Sequence, residues 1–320
     1  CEPHFSHLPT FSNSTVRQYS SVHGELSEVR EELRKLGHGT VEFNPSFSPG
    51  IGLITLQNVE RRNALSGRMM AQLADLVDRL ERIVKGETSV REEEELVALI
   101  LTGSGNTFCS GFDLSVAKEH ILTSENGAKM SSLMQDTLFR FSQLPLISVA
   151  AIEGHALGGG AELSTACDHR CISDTAKVRF VQVKMATTPG WGGGGRLIKI
   201  VGKTSALRIM GASVPLTGKD ALDVGFADIL AVNNESVLDK SIEYLDPYVY
   251  FFAQKEGESV PERRRNSVRA VRGIKAITAR ADNDEAHKEF LRWEHRLFAD
   301  YWGQEENVAA VIGSSKKEGK

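Results

Sequence analysis

Apolar residues follow two spacings along this chain, one typical of helices and one typical of strands. Helical spacing predicts a short helix that Gly37 ends, a longer amphipathic helix from Met69 to Val84, and a third around Met130–Phe141. We expect a turn at "NPSFSPG" and a solvated loop at "KGETSVREEEE". Short, nearly uninterrupted apolar runs predict strands at Thr40–Phe43, Gly50–Leu56, Leu96–Gly103 and Leu146–Ile152. Because strands and helices alternate, the sequence predicts an α/β protein.

The two ends of the chain differ from this alternating middle. Residues 1–24 are rich in Ser and Thr and hold one acidic residue, a composition typical either of an organelle-targeting leader or of a disordered tail. From about Val249 onward we find no strand pattern and predict helices, including a basic helix from Arg263 to Arg280. We therefore expect a leader over 1–24, a core over 25–248 and a helical region over 249–320.

Composition and charge exclude several classes of function. The chain has 320 residues, of which 41% are hydrophobic, enough for a substantial core. A formal net charge of -4 argues against a general nucleic-acid binder, which carries a basic excess. No apolar run approaches the ~18–20 residues that a membrane-spanning helix needs. The four cysteines form no C-x-x-C motif and the nine histidines no H-E-x-x-H motif, so we expect no metal site.

Two loops share one unusual form, with glycine placed directly after a buried strand. The first, "NTFCSGFDL", follows the strand at Leu96–Gly103, and the second, "GHALGGGAEL", follows the strand at Leu146–Ile152 and leads into a helix. Ligands bind at the carboxyl ends of strands in α/β sheets, and glycine lets a ligand approach the backbone closely. Two backbone N–H groups aimed at one point would stabilise a developing oxyanion. We therefore predict an oxyanion hole.

The chain resembles the crotonase (enoyl-CoA hydratase/isomerase) superfamily in "RRNALSGRMM", "NTFCSGFDL", "GHALGGGAELSTACDHR" and "RFVQVKMATTPGWGGGGRL". The resemblance implies a spiral of repeated ββα units with a C-terminal helical region that forms trimers. It also implies that the N–H groups of Phe112 and Gly159 hold the thioester carbonyl of an acyl-CoA, and that the reaction passes through a thioester enolate. The neighbours Gly111, Asp113 and Gly158 are then expected to line the substrate site.

The same resemblance implies where coenzyme A would bind. The turn "RRNAL" would lie by the pantetheine and phosphates, through Arg61, Asn63, Ala64 and Leu65. The basic helix would reach the 3′-phosphate, for which we name Lys275. Trp191, Phe180 and Met185 are candidates for the wall of the acyl pocket. We interpret the glycines at 192–195 as letting a helix pack closely beside that pocket, because no strand precedes them as a dinucleotide-binding motif would require.

Two positions suggest which reaction the chain performs. Hydratases of this superfamily use two glutamates; here the first is Glu162, but Gln182 stands in the place of the second. An amide side chain cannot exchange a proton at neutral pH, so ordinary hydration should be impaired. Flanking residues, including Trp191, resemble the group that decarboxylates ethylmalonyl-CoA and, as a second substrate, methylmalonyl-CoA. Glu162, water held by Gln182, or His155 would return the proton, and the three alternatives stay open.

The resemblance also implies the ligands, the oligomeric state and the cellular location of this protein. It implies an acyl-CoA substrate, no cofactor beyond the coenzyme A that the substrate carries, no metal, and no nucleic-acid or membrane partner. It implies a homotrimer or hexamer in the cytosol, while the leader keeps the mitochondrion as an alternative. Two rival functions remain at this stage: an enoyl-CoA hydratase or isomerase with altered residues, and an inactive scaffold of the same fold that binds another macromolecule.

Overall fold

A computed structural model describes residues 22–88, 90–253, 261–281 and 285–315 of the chain. The strands are β1 (Thr40–Ser48), β2 (Ile51–Gln57), β3 (Ala98–Gly103), β4 (Ile147–Ile152), β5 (His155–Leu157), β6 (His169–Ser173), β7 (Lys177–Arg179), β8 (Leu216–Thr217), β9 (Ile229–Ala231), β10 (Tyr250–Ala253) and β11 (Glu262–Arg265). The helices are α1 (Val22–Arg34), α2 (Gly67–Val84), α3 (Arg91–Glu94), α4 (Leu114–Val116), α5 (Ser124–Gln143), α6 (Gly159–Ser164), α7 (Gly193–Gly211), α8 (Gly218–Asp223), α9 (Val237–Val249), α10 (Val268–Ala281), α11 (Glu285–Tyr301) and α12 (Glu305–Ser315). Strands and helices alternate through the middle of the chain, as the sequence predicts.

One six-stranded sheet forms the centre of the molecule, in the order β1-β2-β3-β4-β6-β9. The β1–β2 pair is antiparallel, and every later pair in this sheet is parallel. Strand β4 is buried along its whole length, which explains its uninterrupted apolar sequence. Helices α1, α2 and α5 pack on one another against one face of the sheet, and α9 covers the other face.

Helix α2 shows how a local sequence specifies an element of this fold. The Ser66 side chain accepts a hydrogen bond from the Met69 N–H and thereby caps the first turn. Leu73, Val77 and Leu80 recur at helical spacing and are buried in the core. Full burial of each such side chain contributes about 1.5–3 kcal/mol, so the apolar stripe fixes the face that α2 turns to the sheet.

Two consecutive ββα units bring the glycine loops together. The first unit is β4-β5-α6 and the second is β6-β7-α7. Strand β5 pairs with β7 in a small second sheet, and Cys109 of the first glycine loop forms a parallel bridge with Ala156 of β5. The Leu157 N–H donates to the Cys109 carbonyl, so the first loop lies alongside the start of the second.

Three expectations from the sequence are corrected. Strand β1 continues to Ser48, and the turn that follows is shorter than "NPSFSPG". The charged loop contains the short helix α3, because Glu93 is buried and accepts hydrogen bonds from the Arg79 and Thr88 side chains. The C-terminal region was expected to have no strand but contains the antiparallel hairpin β10–β11.

The hairpin also changes the predicted basic helix. Helix α10 begins at Val268, not at Arg263, because residues 262–265 are extended along β10. The arginines of β11 pair with acids from other parts of the chain: Arg263 with Asp246 and Arg265 with Glu95. The Arg263 guanidinium also lies 3.8 Å from the centre of the Tyr250 ring. The acid next to this run, Glu262, pairs with Arg264, and the fold supplies the other two arginines with acids that are distant in sequence.

Other structural expectations concern the leader and the membrane. Of the leader expected over 1–24, residues 1–21 lie outside the described part of the chain, and α1 begins at Val22. Within the described ranges, each helix is too short or too polar to cross a bilayer.

Candidate active site

The first glycine loop turns one backbone amide away from its neighbouring segment. The Leu65 N–H donates to the Gly111 carbonyl (2.7 Å), and the Asp113 N–H donates to the Leu65 carbonyl (3.0 Å). In such a parallel bridge the residue between the two bonded positions directs its own N–H to the opposite side. That residue is Phe112, so its amide faces away from Leu65. Gly111 has a φ of +101°, a conformation that favours glycine.

The second glycine loop presents the start of a short helix. Gly158 has a φ of +53°, and its N–H donates to the Arg179 carbonyl of β7. Helix α6 begins at the next residue, Gly159, and first-turn N–H groups have no acceptor within their own helix. The Gly159 amide is therefore available to an acceptor from outside the helix.

The two predicted donors lie side by side. A methyl group built on Gly111 would lie 3.2 Å from the Gly159 nitrogen and 2.7 Å from the Leu157 carbonyl oxygen. Gly111 directly precedes Phe112, so the structure brings both oxyanion-hole segments to one place. A side chain at Gly111 would fill the space between them. This close approach is a physical reason for glycine at this position in addition to its backbone conformation.

Trp191 packs directly on the second loop. A methyl group on Gly159 would lie 2.4 Å from the Trp191 ring, so only glycine leaves room for the indole there. The indole N–H points to the sulfur of Met130, and the ring is buried. Trp302, which the sequence did not single out, contacts the Phe112 ring at 6.0 Å between centroids. Phe180 is also buried, and Met185 is partly buried.

Glu162 is held by a set of converging N–H donors. Its carboxylate accepts from the Trp191 N–H (2.8 Å), the Gly193 N–H (3.0 Å) and the Gln182 Nε2 (2.9 Å), with the Gly190 N–H further away at 3.4 Å. The residue is only 3% exposed, and this burial raises the pKa of the Glu162 carboxyl. Burial favours the protonated form of this carboxyl, whereas the N–H donors that converge on it favour the carboxylate.

Gln182 contacts Glu162, in agreement with the resemblance, which places the two residues at the positions of the paired glutamates of hydratases. Its amide nitrogen donates to Glu162 Oε1, while its own Oε1 is buried and has no hydrogen-bond partner in the described part of the chain. A buried acceptor without a partner is costly unless water or a ligand supplies the donor. Gln182 therefore offers a place for one such donor beside Glu162. His155 lies in the short strand β5 and is half-buried.

The "RRNAL" turn divides into a surface part and a structural part. Arg61 is exposed, whereas Ala64 and Leu65 are buried. The Asn63 side chain is fully buried: its oxygen accepts from the Asn58 N–H, and its nitrogen donates to the carbonyls of residues 104 and 107. Within this turn, Asn63 thus holds the loop conformation, and Arg61 is the exposed cation that a ligand could meet.

Asp113 also has a structural contact that the sequence did not predict. It is the N-cap of α4, and its Oδ1 accepts from both the N–H and the hydroxyl of Ser115. Its carboxylate is engaged at the end of the first glycine loop, directly after Phe112. Asp113 therefore fixes the direction in which the chain leaves the site.

Lys275 is buried and bonded within the chain. Its ammonium donates to Asp168 Oδ1 (2.6 Å) and to the Ser142 carbonyl (3.0 Å), and the residue is 6% exposed. Asp168 in turn accepts from the Ser148 N–H and hydroxyl. The lysine thereby joins α10 to the ends of α5 and β4, a structural contact that the sequence did not predict, and its expected contact with the 3′-phosphate stays a prediction.

We expect Lys275→Ala to destabilise the fold rather than to weaken substrate binding. Removing the ammonium leaves the Asp168 carboxylate without its cation, at a cost of about 2 kcal/mol for a partly exposed partner. Urea unfolding should show this loss, whereas KM for the substrate should change less than twofold. Arg280→Ala, on the exposed end of the same helix, is the matched control. A large rise in KM for Lys275→Ala at unchanged stability would support the phosphate-binding role.

A second buried carboxylate, missed by the sequence analysis, lies at the same helix end as Glu162. Glu294 of α11 accepts hydrogen bonds from the Gly194 and Gly195 N–H groups (3.3 and 2.8 Å). Burial and the nearby Glu162 raise the pKa of the Glu294 carboxyl to about 7. A methyl group on Gly194 would lie 2.9 Å from Glu294. The glycine run thus lets helix α11 pack closely against the start of α7, as the sequence suggested. The space left by the missing side chains is occupied by the Glu294 carboxylate.

Metal ligands are not gathered anywhere in the ranges that the structure describes: no group of three or more His, Cys, Asp or Glu side chains there could hold an ion. Cys109, Cys167 and Cys171 are buried free thiols, and burial raises the pKa of each.

The parallel sheet, the two adjoining glycine loops and the buried carboxylate are features to compare with known families of proteins. The chain belongs to the family described as "Enoyl-CoA hydratase/isomerase", whose model matches residues 46–305. Among individual relatives, ethylmalonyl-CoA decarboxylase of Rattus norvegicus is 36% identical over 304 residues, covering 94% of this chain and 92% of the relative. The Homo sapiens protein of the same name is 35% identical over 299 residues, covering 93% of this chain and 89% of that one.

Solved structures confirm the crotonase fold expected from the resemblance. An enoyl-CoA hydratase/isomerase from Mycobacterium paratuberculosis superimposes with a TM-score of 0.70 at 18% identity, covering 85% of this chain and 97% of that one. An enoyl-CoA hydratase from Bacillus anthracis gives a TM-score of 0.62 at 24% identity, with 87% and 96% covered. A Thermobifida fusca protein solved in complex with CoA gives 0.59 at 22% identity, with 84% and 94% covered.

Proposed function

We propose that this protein decarboxylates ethylmalonyl-CoA to butyryl-CoA and CO2, with methylmalonyl-CoA as a second substrate. The observation that carries the proposal is the juxtaposition of Gly111 and Gly159, which sets two amide-bearing loops together beside the buried Glu162 and Gln182. Relatives at 35–36% identity over more than nine-tenths of this chain are named ethylmalonyl-CoA decarboxylase, and the proposal transfers that activity.

The bond-breaking step needs stabilisation of an oxyanion. The N–H groups of Phe112 and Gly159 donate to the thioester oxygen. The bond between carbon 2 and the carboxylate breaks, CO2 leaves, and the electron pair passes onto the thioester as an enolate. Each well-placed donor contributes about 3–4 kcal/mol to the transition state of such a reaction. The thioester itself accepts the electrons, so the step uses no separate electron carrier.

The second step returns one proton to carbon 2. Burial raises the pKa of the Glu162 carboxyl, and in its protonated form Glu162 gives the proton to the enolate. Water then reprotonates it. The unpaired Oε1 of Gln182 holds a water molecule beside Glu162, which supplies a route for that proton. Gln182 itself transfers none, because an amide does not titrate at neutral pH.

Coenzyme A binding is proposed for the exposed side of the "RRNAL" turn, with Arg61 as a cation for the phosphates. A related fold from Thermobifida fusca has been solved with CoA, which supports an acyl-CoA ligand here. We also propose a homotrimer or hexamer without a further cofactor, located in the cytosol or, if residues 1–24 act as a leader, in the mitochondrion. The inactive-scaffold alternative has less support, because the two glycine loops lie together beside the buried Glu162 and the relatives at 35–36% identity are named as decarboxylases.

Incubating the purified protein with four thioesters and following product masses tests the proposal. Ethylmalonyl-CoA should become butyryl-CoA, methylmalonyl-CoA should react more slowly, and malonyl-CoA and crotonyl-CoA should stay unchanged. Hydration of crotonyl-CoA without release of CO2 would instead show the hydratase alternative to be right. Failure to bind any of the four would favour the scaffold.

We expect Gln182→Glu to lower decarboxylation at least tenfold. The new carboxylate would face Glu162 at about the present 2.9 Å, and two buried carboxylates so close cannot both be ionised. The amide donor to Glu162 would also be lost. Gln304→Glu, an exposed position, is the control for the added charge. A variant that gains crotonyl-CoA hydration while keeping full decarboxylation would contradict this account of Gln182.

A further inference from the structure

The N-terminus of α7 binds two carboxylates that come from separate elements of the chain. Glu162 of α6 accepts from Trp191 and Gly193, and Glu294 of α11 accepts from Gly194 and Gly195. Consecutive backbone amides therefore serve both acids. Helix α7 is interrupted at Gly202, and the N-terminal N–H groups of its first part favour negative charge. The second acid is supplied from a residue 132 positions further along the chain than Glu162.

The charges around this helix end do not balance when both acids are ionised. Glu162, Glu294 and Arg196 are 3%, 5% and 7% exposed, so water screens none of them well. Arg196 is the cation whose charge acts on both carboxylates, while its guanidinium donates to Thr165 and to the carbonyls of residues 162 and 191. One cation and two buried carboxylates leave one negative charge uncompensated, which favours uptake of a proton.

Within the described ranges, the side chains of α5 and of the Gln182–Met185 turn that pack here are uncharged. Helix α5 contributes the Gln135 side chain and Ser131, and the Gln182–Met185 turn contributes the Gln182 amide. His295 of α11 lies between Ser131 and Ser132, and burial lowers its pKa, so its ring is neutral. The buried Cys167 thiol near Arg196 is also neutral, because burial raises its pKa to about 12.

We propose that Glu294 is a positioning residue of the active site, which shares the α7 N-terminus and one proton with Glu162. Ionisation of either carboxyl opposes ionisation of the other, so one proton stays with the pair, and the form with the proton on Glu162 is the one that gives it to the enolate. Its hydrogen bonds to Gly194 and Gly195 also fix the segment that carries Trp191 onto Gly159. The role in catalysis rests on the proposed function, whereas the shared proton is a property of the resting protein.

The pH profile of kcat tests the catalytic part. Glu294→Gln removes one negative charge, so Glu162 loses its proton at lower pH and the alkaline limb should move down by about one pH unit. Glu289→Gln, on the exposed face of the same helix, should leave the limb in place. A Glu294→Gln profile that superimposes on the wild type, with the protein folded, overturns the role.

Infrared spectroscopy tests the shared proton without any substrate, and so it stands apart from the proposed function. The wild type should show the C=O stretch of a buried carboxylic acid at about pH 6, where exposed carboxyls are ionised. This band should disappear above neutral pH. Glu162→Gln should lack the band at about pH 6, because the remaining carboxylate then faces Arg196 alone. Absence of the band in the wild type, or full retention in Glu162→Gln, overturns the proposal even if Glu294→Gln does not fold.

Discussion

Replacing Gly159 by alanine is expected to lower kcat for ethylmalonyl-CoA decarboxylation by about 10²–10³-fold, the effect of losing one oxyanion donor. The added methyl group would lie 2.4 Å from the Trp191 ring, closer than any real contact of a Cβ atom. Either the ring or the first turn of α6 must move, and the Gly159 amide moves with it. Alanine is otherwise a good residue within a helix, so the loss comes from the contact and not from helix propensity.

A glycine in a helix with open space around it provides the control for this substitution. A methyl group on Gly273 of α10 meets no atom within 4 Å. Gly273→Ala should therefore keep full activity and gain up to about 1 kcal/mol of stability. Full activity of Gly159→Ala would contradict the assignment of its amide to the oxyanion hole.

Glu162→Gln is expected to lower kcat by about 10²–10⁴-fold, the usual contribution of a positioned acid or base. The amide cannot give a proton to carbon 2, and KM should change little because the thioester is held by backbone amides. The new NH2 group would also face the N–H donors that now converge on the carboxylate. We expect this mismatch to cost about 1–3 kcal/mol of unfolding free energy.

Two measurements separate the loss of the acid from the loss of the fold. Urea unfolding gives the stability change, and kcat is measured at a temperature where the variant is fully folded. Glu153→Gln changes an exposed glutamate in the second glycine loop and should alter neither quantity. Retention of wild-type kcat in Glu162→Gln would mean that another group, such as His155, returns the proton.

The two glycine loops could be recognised from the sequence, because each is a short run of neighbouring residues with glycine directly after an apolar strand. Glycines after a buried strand, followed by a helix, predict an oxyanion hole, and the resemblance names the amides of Phe112 and Gly159 as its donors. The position of Gln182 against Glu162 also followed from the resemblance.

Pairings between distant parts of the chain could not be predicted from spacing. Lys275 lies in a basic segment of the sequence that is typical of phosphate binding. Its ammonium, however, is hydrogen-bonded to Asp168, 107 positions away in the sequence. The hairpin strands β10 and β11 are short and carry aromatic and arginine residues that a helix also accepts. Glu294 lies on an ordinary amphipathic helix, and only the docking of α11 onto the glycine run buries it. The spacing of residue types along the sequence does not show which distant residues come into contact in the fold.

Reaction of ethylmalonyl-CoA with the wild-type protein in deuterium oxide tests the central claim most directly. The account predicts release of CO2 and formation of butyryl-CoA that carries one solvent deuterium at carbon 2, because the enolate takes its proton from a group in exchange with water. Recovery of unchanged ethylmalonyl-CoA from a folded protein that binds it would contradict the account.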